Sequence, residues 1–326
     1  MTRNLPRTAP GGTATRATRA SRSARCIAVV AGILAAIGLA AALAQAPAAS
    51  RADAADGIAA DALAARHRAL AGALAASPFG LPLVVRSRDE GSLAEGEIVG
   101  LVPHPFPAFA AAFADPRAFC DVAVLHPNVK GCTHARANGE DRVTLYAGRK
   151  HYESAGRAYA QEFVASAREV GEGYLRLVLR SPAGPLETRD YVFALEAMPA
   201  GDATFISVRY AYRPSFASRT VTAGYLATAG SGKTGFSIDD SAAGGRARGL
   251  RGVVERNAMR HYLALVAVLD TRTVEVAART AARLDRYYTL TDGFAAQLRE
   301  FDRAEYVAIK TREFAEQRER DRSGGS

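Results

Sequence analysis

A long series of strand-like segments followed by one long helix is the feature that most restricts the fold of this chain. Between residues 141 and 239, short runs rich in Val, Tyr, Phe and Thr are separated by turn-forming sequences such as 171–173 and 199–202. Apolar and polar side chains alternate clearly over 204–212, as in a strand with one covered face. From residue 250 to 269 the apolar spacing becomes helical. This order predicts an antiparallel meander closed by a helix.

The remaining segments complete a mixed pattern of strands and helices. Residues 83–85 and 97–102 flank a turn and predict a hairpin, and four phenylalanines between 106 and 119 predict one or two short helices. Beyond the long helix, a second helix is predicted over about 271–284 and a charged one over 292–320. The predicted strands of the meander cover residues 143–146, 159–170, 174–179, 189–195, 204–212 and 220–227, with a further strand at 236–238.

The N-terminal 44 residues have the order of an export signal. Six arginines and no acidic residue precede the uncharged apolar run 26–43, and the small residues Ala42 and Ala44 stand where a signal peptidase cuts. The alternative is an uncleaved anchor that keeps the chain in contact with the membrane, because the run is near the minimum length for a span. The mild hydropathy of alanine and glycine favours cleavage. Both interpretations predict a periplasmic or otherwise extracytoplasmic protein.

The positive charge of the chain belongs mostly to this leader. The whole sequence has a net charge of +9, but residues 45–326 carry 36 basic and 33 acidic side chains. This balance argues against a nucleic-acid partner. The Gly-Ser-Gly-Lys-Thr-Gly segment at 230–235 lacks the first glycine of a phosphate-binding loop, since Ala227 holds that position. We therefore expect a glycine-rich turn, no nucleotide and no cofactor.

Two cysteines remain outside the leader, Cys120 and Cys132. In an oxidising compartment, a pair that closes a short loop is most simply a disulfide. The alternative is a zinc site that adds His126 and His134, although the spacing matches no familiar zinc pattern. We expect the disulfide and no metal.

The order of elements resembles the START-like (SRPBCC, Bet v 1-like) superfamily. The segment Gly-Glu-Ile-Val-Gly-Leu-Val-Pro-His-Pro-Phe at 96–106, followed by Phe109 and Phe113, is similar to its early strand and helix, and 250–269 is similar to its closing helix. The resemblance covers residues 81–270. It implies an α+β helix-grip fold, in which a curved antiparallel sheet wraps around a long C-terminal amphipathic helix, here with extra C-terminal helices.

The resemblance also implies an apolar cavity between sheet and helix that holds a lipid or another apolar or amphipathic molecule. Arg209 lies in the middle of a predicted strand, as Arg189 lies in another, and would either face solvent or anchor a polar head group. The inward positions implied as ligand-binding are Leu177, Tyr191, Phe193, Phe205, Arg209, Tyr210, Tyr212, Met259, Tyr262 and Val266.

These observations predict four regions: a leader (1–44), an alanine-rich helical linker (45–80), the START-like domain (81–270) and a charged helical extension (271–326). The leading hypothesis is a non-enzymatic carrier, because no nucleophile or recognisable catalytic set is present. A cavity enzyme of the cyclase or hydrolase type is the first alternative, with His151, His261 or Glu255 as its acid or base. The second alternative is an interaction module that uses the charged helix at 292–320.

Overall fold

A computed structural model describes residues 48–228, 230–239 and 245–323. The predicted leader, with its cleavage site and its alternative role as an anchor, lies outside these residues. Among the helices of the described part, none combines the length and the apolar character that crossing a bilayer requires.

Eight antiparallel strands form one sheet with the order β1-β2-β8-β7-β6-β5-β4-β3. The predicted hairpin of β1 and β2 therefore joins the end of a six-strand meander, in which β4 to β8 are predicted strands and β3 is a strand that the sequence analysis did not predict. A separate pair of two-residue strands, β9 (Ile238–Asp239) and β10 (Gly245–Arg246), follows the sheet. The strands of the large sheet are β1 (Leu83–Asp89), β2 (Ala94–Val102), β3 (Val129–Ala137), β4 (Glu140–Ala147), β5 (Tyr159–Val170), β6 (Leu175–Ala183), β7 (Arg189–Ala200) and β8 (Ala203–Arg213).

The helices surround this sheet, and the predicted α+β class is confirmed. Two short helices connect β2 to β3, and the longest helix that follows the sheet lies on its inner face, against β2, β1 and β8. The helices are α1 (Ala48–Ala75), α2 (Phe106–Phe113), α3 (Ala118–Ala123), α4 (Phe216–Ala227), α5 (Gly249–Asp270), α6 (Val276–Asp292), α7 (Ala295–Leu298) and α8 (Arg303–Ser323).

Helix α5 approaches the sheet closely because β2 has a glycine at the crossing point. A Cβ atom on Gly96 would lie 2.5 Å from the carbonyl oxygen of Val254, which is far inside van der Waals contact. Along α5 nearly every side chain from 254 to 269 is buried, including Met259 and Tyr262. The main core therefore lies between α5 and the inner face of the sheet.

Helix α1 covers the opposite face of the sheet. Its Leu63, Leu70 and Leu74 are buried against Val99 and Phe205. The helix that the sequence predicts here is present as α1. It was expected to act as a linker, but its leucines pack it onto the sheet. Both faces of the central strands are thus covered.

Two predicted strands are wrong. Residues 220–227 form α4, because the Oγ atom of Ser215 accepts a hydrogen bond from the Ser218 amide, and the Oγ atom of Ser218 accepts one from the Ser215 amide. The strand predicted at 236–238 is reduced to β9. There the amide of Phe236 donates to the carboxylate of Glu255 instead of to a neighbouring strand. A local cap formed by Ser215 and Ser218 outweighs the strand-like pattern in the first segment, and a carboxylate from α5 replaces a strand partner in the second.

The C-terminal helices pack on the sheet domain. Helix α6 contacts α5, and α8 contacts both α6 and the edge strand β3. Glu313 on α8 accepts hydrogen bonds from Lys130 of β3 (2.8 Å) and Lys310 (2.6 Å), and all three side chains are buried. The charged helix predicted at 292–320 is interrupted at residues 299–302, between α7 and α8. Some of its polar side chains make contacts inside the protein and do not face solvent.

Candidate functional site

An apolar cavity of about 310 Å³ lies at the C-terminal end of α5. It is bounded by the residues before β1, the end of β2, the start of β8, and α6. Its volume is at the lower end of the range of small-molecule sites, about 300–1,000 Å³. The lining residues are Leu81, Pro82, Leu101, Pro103, Ala203, Tyr262, Leu263, Val266, Asp270, Arg286 and Leu290.

One corner of the cavity is charged. The Oδ1 atom of Asp270 is 2.7 Å from the Nε2 atom of His104, and its Oδ2 atom accepts a hydrogen bond of 2.6 Å from Nε of Arg286. These three side chains come from the loop after β2, the last turn of α5 and the middle of α6. The corner therefore exists only because α6 docks beside α5.

Tyr262 also lines the cavity, and its hydroxyl is 3.5 Å from the carbonyl oxygen of Leu101. Burial raises the pKa of this phenol, so it stays protonated at neutral pH. Tyr262 and Val266 are the two predicted ligand-binding residues that line this cavity.

Three other predicted residues lie in the core between α5 and the sheet. Leu177 and Phe193 border a much smaller cavity of about 10 Å³, together with Phe119 and Leu265. Met259 is completely buried on α5 and does not line the large cavity. The middle of the interface between sheet and helix is therefore nearly filled by protein side chains.

The predicted tyrosines form an aromatic cluster on neighbouring strands β7 and β8. The rings of Tyr191 and Tyr212 stack with centroids 5.1 Å apart, and Tyr210 lies 6.1 Å from Tyr191. The Tyr191 hydroxyl is 2.7 Å from Oγ1 of Thr188, and burial raises the pKa values of Tyr191 and Tyr212. These side chains pack against one another and do not line the 310 Å³ cavity.

Phe205 and Arg209 require a correction, because they lie on the outer face of β8. Phe205 packs under α1, with its ring centroid 4.5 Å from that of His67. Arg209 pairs with Glu95, at an N–O distance of 3.2 Å. Side chains alternate along a strand, so Ile206 and Val208 take the inner face and the odd-numbered residues cannot join them. Neither Phe205 nor Arg209 can line a cavity against α5.

The residues named for a cavity enzyme are not brought together. His151 is exposed. The carboxylate of Glu255 is buried and accepts hydrogen bonds from the amides of Phe236 and Ser237 (2.5 and 3.0 Å) and from the Ser87 hydroxyl (2.5 Å). This acid holds the segment after α4 against α5, and it is not part of the cavity wall.

His261 stacks on a second histidine that the sequence did not single out as its neighbour. Its ring centroid is 5.4 Å from that of His126 and 5.4 Å from that of Phe193. Burial lowers the pKa of His261 to about 4 and also lowers that of His126. The Nε2 atom of His126 has no hydrogen-bond partner among the described residues. Both rings are neutral packing elements at neutral pH.

The glycine-rich turn at 230–235 places a lysine in a charged cluster beside α5. The carboxylate of Glu300 forms ion pairs with Arg260, Lys150 and Lys233, at N–O distances of 2.7, 2.8 and 2.9 Å. The Nζ atom of Lys233 also donates to the carbonyl oxygen of Arg299. The lysine of the apparent phosphate-binding sequence therefore ties this turn to the connection between α7 and α8.

Cys120 and Cys132 form a disulfide that links α3 to β3. Both thiols of the alternative zinc site are thereby used, and His134 contacts Asp141 at 3.0 Å. Within the described ranges, no group of three or more His, Cys, Asp or Glu side chains is arranged to hold a metal ion.

The strand order and the helix across the inner face define an α+β protein of the helix-grip class. Several solved structures are partly similar to this chain. The aromatase/cyclase Zhui from Streptomyces sp. R1128 gives a TM-score of 0.35 at 14% identity, covering 57% of this chain and 98% of that one. A STAR-related lipid transfer protein fragment from Xanthomonas axonopodis gives 0.35 at 16% identity, covering 58% and 92%.

A protein from Thermus thermophilus gives a TM-score of 0.34 at 12% identity, covering 55% of this chain and 99% of that one. No protein-family model matches the sequence, and no curated protein matches it. At such identities and TM-scores these similarities carry no argument about the ligand, which must rest on the cavity itself.

Proposed function

We propose that this protein is an exported member of the START-like superfamily that binds one apolar or amphipathic molecule in the cavity at the end of α5. The observation that carries the proposal is the cavity of about 310 Å³, whose wall is apolar except for one charged corner. Burial of an apolar chain there is favourable by about 0.8 kcal/mol per CH₂ group. The function is carriage or storage of that molecule.

The size of the cavity limits the ligand to a single chain or a compact ring system. A volume at the lower end of the small-molecule range suits one such molecule and leaves no room for the two acyl chains of a phospholipid. The ligand therefore moves alone, without the rest of a membrane lipid.

Export belongs to the same proposal. It is supported by the arginine-rich, apolar leader and by the disulfide between Cys120 and Cys132, a bond typical of oxidising compartments. Expression of the full chain in a Gram-negative host, followed by fractionation and intact-mass measurement, tests it. A periplasmic protein that has lost about 44 residues is expected, and an uncleaved chain in the cytoplasm would overturn this part.

Ligand binding is tested on the full chain with a pair of matched substitutions. Val266→Trp places a large side chain in the cavity, whereas Val221→Trp makes the same exchange on α4, where Val221 is exposed. We expect solvent extracts of the wild-type protein and of Val221→Trp to contain the same apolar molecule. Extracts of Val266→Trp should contain much less of it.

Ala203→Phe, which fills the cavity from β8, repeats the test if Val266→Trp does not fold. Circular dichroism and thermal unfolding establish that each variant is folded. The proposal is overturned if wild-type extracts contain no apolar molecule and the purified protein also binds neither sodium dodecanoate nor 1-dodecanol.

A further inference from the structure

Arg286 presents unused hydrogen-bond donors at the wall of the cavity. Its Nε atom donates to Asp270, but Nη1 and Nη2 make no hydrogen bond within the part of the chain that the structure describes. The side chain is 42% exposed, and it lines the cavity together with Leu290 from the same helix. A guanidinium held through Nε keeps the edge formed by its two terminal nitrogens free for a second acceptor.

Both carboxylate oxygens of Asp270 already have a cationic or N–H partner within the corner. One of its oxygens is directed at His104 and the other accepts from Arg286. Its role is to position the guanidinium plane and to balance its charge. Of the groups in the corner, the free donors are those of Arg286, so the polar end of a ligand must accept hydrogen bonds.

A carboxylate is the acceptor that fits this arrangement best. The two oxygens of a carboxylate match the two terminal nitrogens of arginine in a bidentate pair, and the charge makes each hydrogen bond stronger than one to a neutral carbonyl or hydroxyl. The guanidinium would then stand between two carboxylates, that of Asp270 on its Nε side and that of the ligand on its outer edge.

We propose that the cavity binds a single-chain monocarboxylate, a fatty acid, with its carboxylate on Arg286 and its chain along Leu263 and Val266. This inference rests on the proposed function and gives it a ligand class. It also assigns a role to α6. This helix supplies Arg286, which binds the carboxylate, whereas most of the apolar wall comes from the sheet and α5. On α5, Val266 and Tyr262 lie one and two turns before Asp270. The apolar part of the cavity wall therefore extends along α5 away from the charged corner.

The test compares three probes with the same chain but different heads: sodium dodecanoate, 1-dodecanol and dodecylamine, each below its aggregation concentration. Isothermal titration of the full-length protein is expected to give at least about tenfold tighter binding of dodecanoate than of dodecanol, and the weakest binding for dodecylamine. The variant Arg286→Gln should lose this preference and retain its affinity for dodecanol.

Arg213→Gln is the matched control, because Arg213 is an exposed arginine that also pairs with an aspartate, Asp190. It should bind all three probes as the wild type does. If Arg286→Gln does not fold, Arg286→Lys replaces it, because lysine keeps the charge and loses the bidentate geometry. This variant should still prefer dodecanoate to dodecanol, but less strongly than the wild type does.

Equal affinity for dodecanoate and dodecanol in the wild type overturns the carboxylate assignment and leaves the proposed function intact. Tighter binding of dodecylamine also overturns it. A failure of both dodecanoate and dodecanol to bind counts against the proposed function itself, so the two failures are distinguishable.

Discussion

The side chain of Gln317 pairs with the backbone of Cys132 in the way a neighbouring strand would. Its Nε2 atom donates to the Cys132 carbonyl oxygen (2.6 Å), and its Oε1 atom accepts from the Cys132 amide (2.9 Å). Cys132 belongs to β3, the last strand of the sheet. Helix α8 therefore covers an edge that would otherwise offer unpaired amides and carbonyls to another chain.

Replacing this glutamine should loosen α8. Gln317→Ala leaves the amide and carbonyl of Cys132 without these partners, and we expect a loss of about 1–3 kcal/mol in the free energy of unfolding. Urea unfolding measures this loss, and limited proteolysis should cut α8 faster than in the wild type. Gln297→Ala on α7 is the control and should change stability by less than about 0.5 kcal/mol. An equal effect of both substitutions would contradict the role of Gln317.

Lys310 should make the free energy of unfolding depend on pH in the alkaline range. Burial lowers its pKa to about 8, against a usual value of 10.5. Between these values the unfolded chain binds a proton that the folded protein has released. Stability should therefore rise with pH above about 8, by up to about 1.4 kcal/mol per pH unit.

Denaturant unfolding of the wild type and of Lys310→Met between about pH 7.5 and 9.5 measures this effect. The variant should show a shallower rise, because the titrating group is gone. The paired substitution Glu313→Leu should unfold far more easily, by about 3–5 kcal/mol, because it leaves Lys130 and Lys310 buried without their shared carboxylate. Parallel pH profiles for the wild type and Lys310→Met would exclude a contribution from Lys310.

His261 has the corresponding effect at acidic pH. Its pKa of about 4 in the folded protein lies below the usual 6.5, because burial disfavours the charged ring. As pH falls through this window the unfolded chain takes up the proton first. Stability should therefore decrease from about pH 6.5 toward pH 4, by up to about 1.4 kcal/mol per unit.

His261→Phe should reduce this acid sensitivity, because the ring packs between Phe193 and His126 and phenylalanine keeps the aromatic contact without a titrating group. Val221→Phe, at an exposed position of α4, is the control and should leave the slope unchanged. Guanidinium unfolding from about pH 4.5 to 7 measures both. A steeper slope in His261→Phe would contradict the assignment.

Removal of the disulfide should destabilise the protein without changing its fold. Cys120 and Cys132 are separated by 12 positions, and a loop of this size contributes about 3 kcal/mol in the chain-entropy account. The double variant Cys120→Ala/Cys132→Ala should unfold at lower urea concentration. Dithiothreitol should bring the wild type to the same midpoint and have no effect on the variant. A wild type insensitive to the reductant would argue that the bond is absent in solution.

The sheet could be predicted because its information is local. Alternation and turn residues mark the strands β4 to β8 of the meander, whereas β3 was not predicted and the crossing of α5 at Gly96 emerges only from the structure. The face of a strand is harder to assign, since alternation says that two sets of residues exist and not which set meets α5. For this reason the predicted site combines Phe205 and Arg209 with Tyr210 and Tyr212, although odd and even positions of one regular strand point to opposite faces.

Features that depend on distant segments could not be predicted. Strand β3 contains Lys130, which is unusual for a buried position, and it is stabilised by Glu313, 183 residues further along the chain. The cavity likewise needs Arg286 and Leu290 from α6, and the amphipathic pattern of a helix does not specify where the helix docks. The tyrosine cluster and the small hole beside Phe193 show the same limit, because apolar residues predict a core but not the gaps within it.

Gly96 permits the short distance between β2 and α5. Ordinary van der Waals contact begins near 3.4 Å, so a methyl group at this position, 2.5 Å from the Val254 carbonyl oxygen, must push helix and strand apart. Since α5 also forms a wall of the cavity, one atom on the backbone of β2 changes the width of a compartment that Gly96 does not touch. The room available to a ligand therefore depends also on a residue outside the cavity wall, through the position of the helix that forms part of that wall.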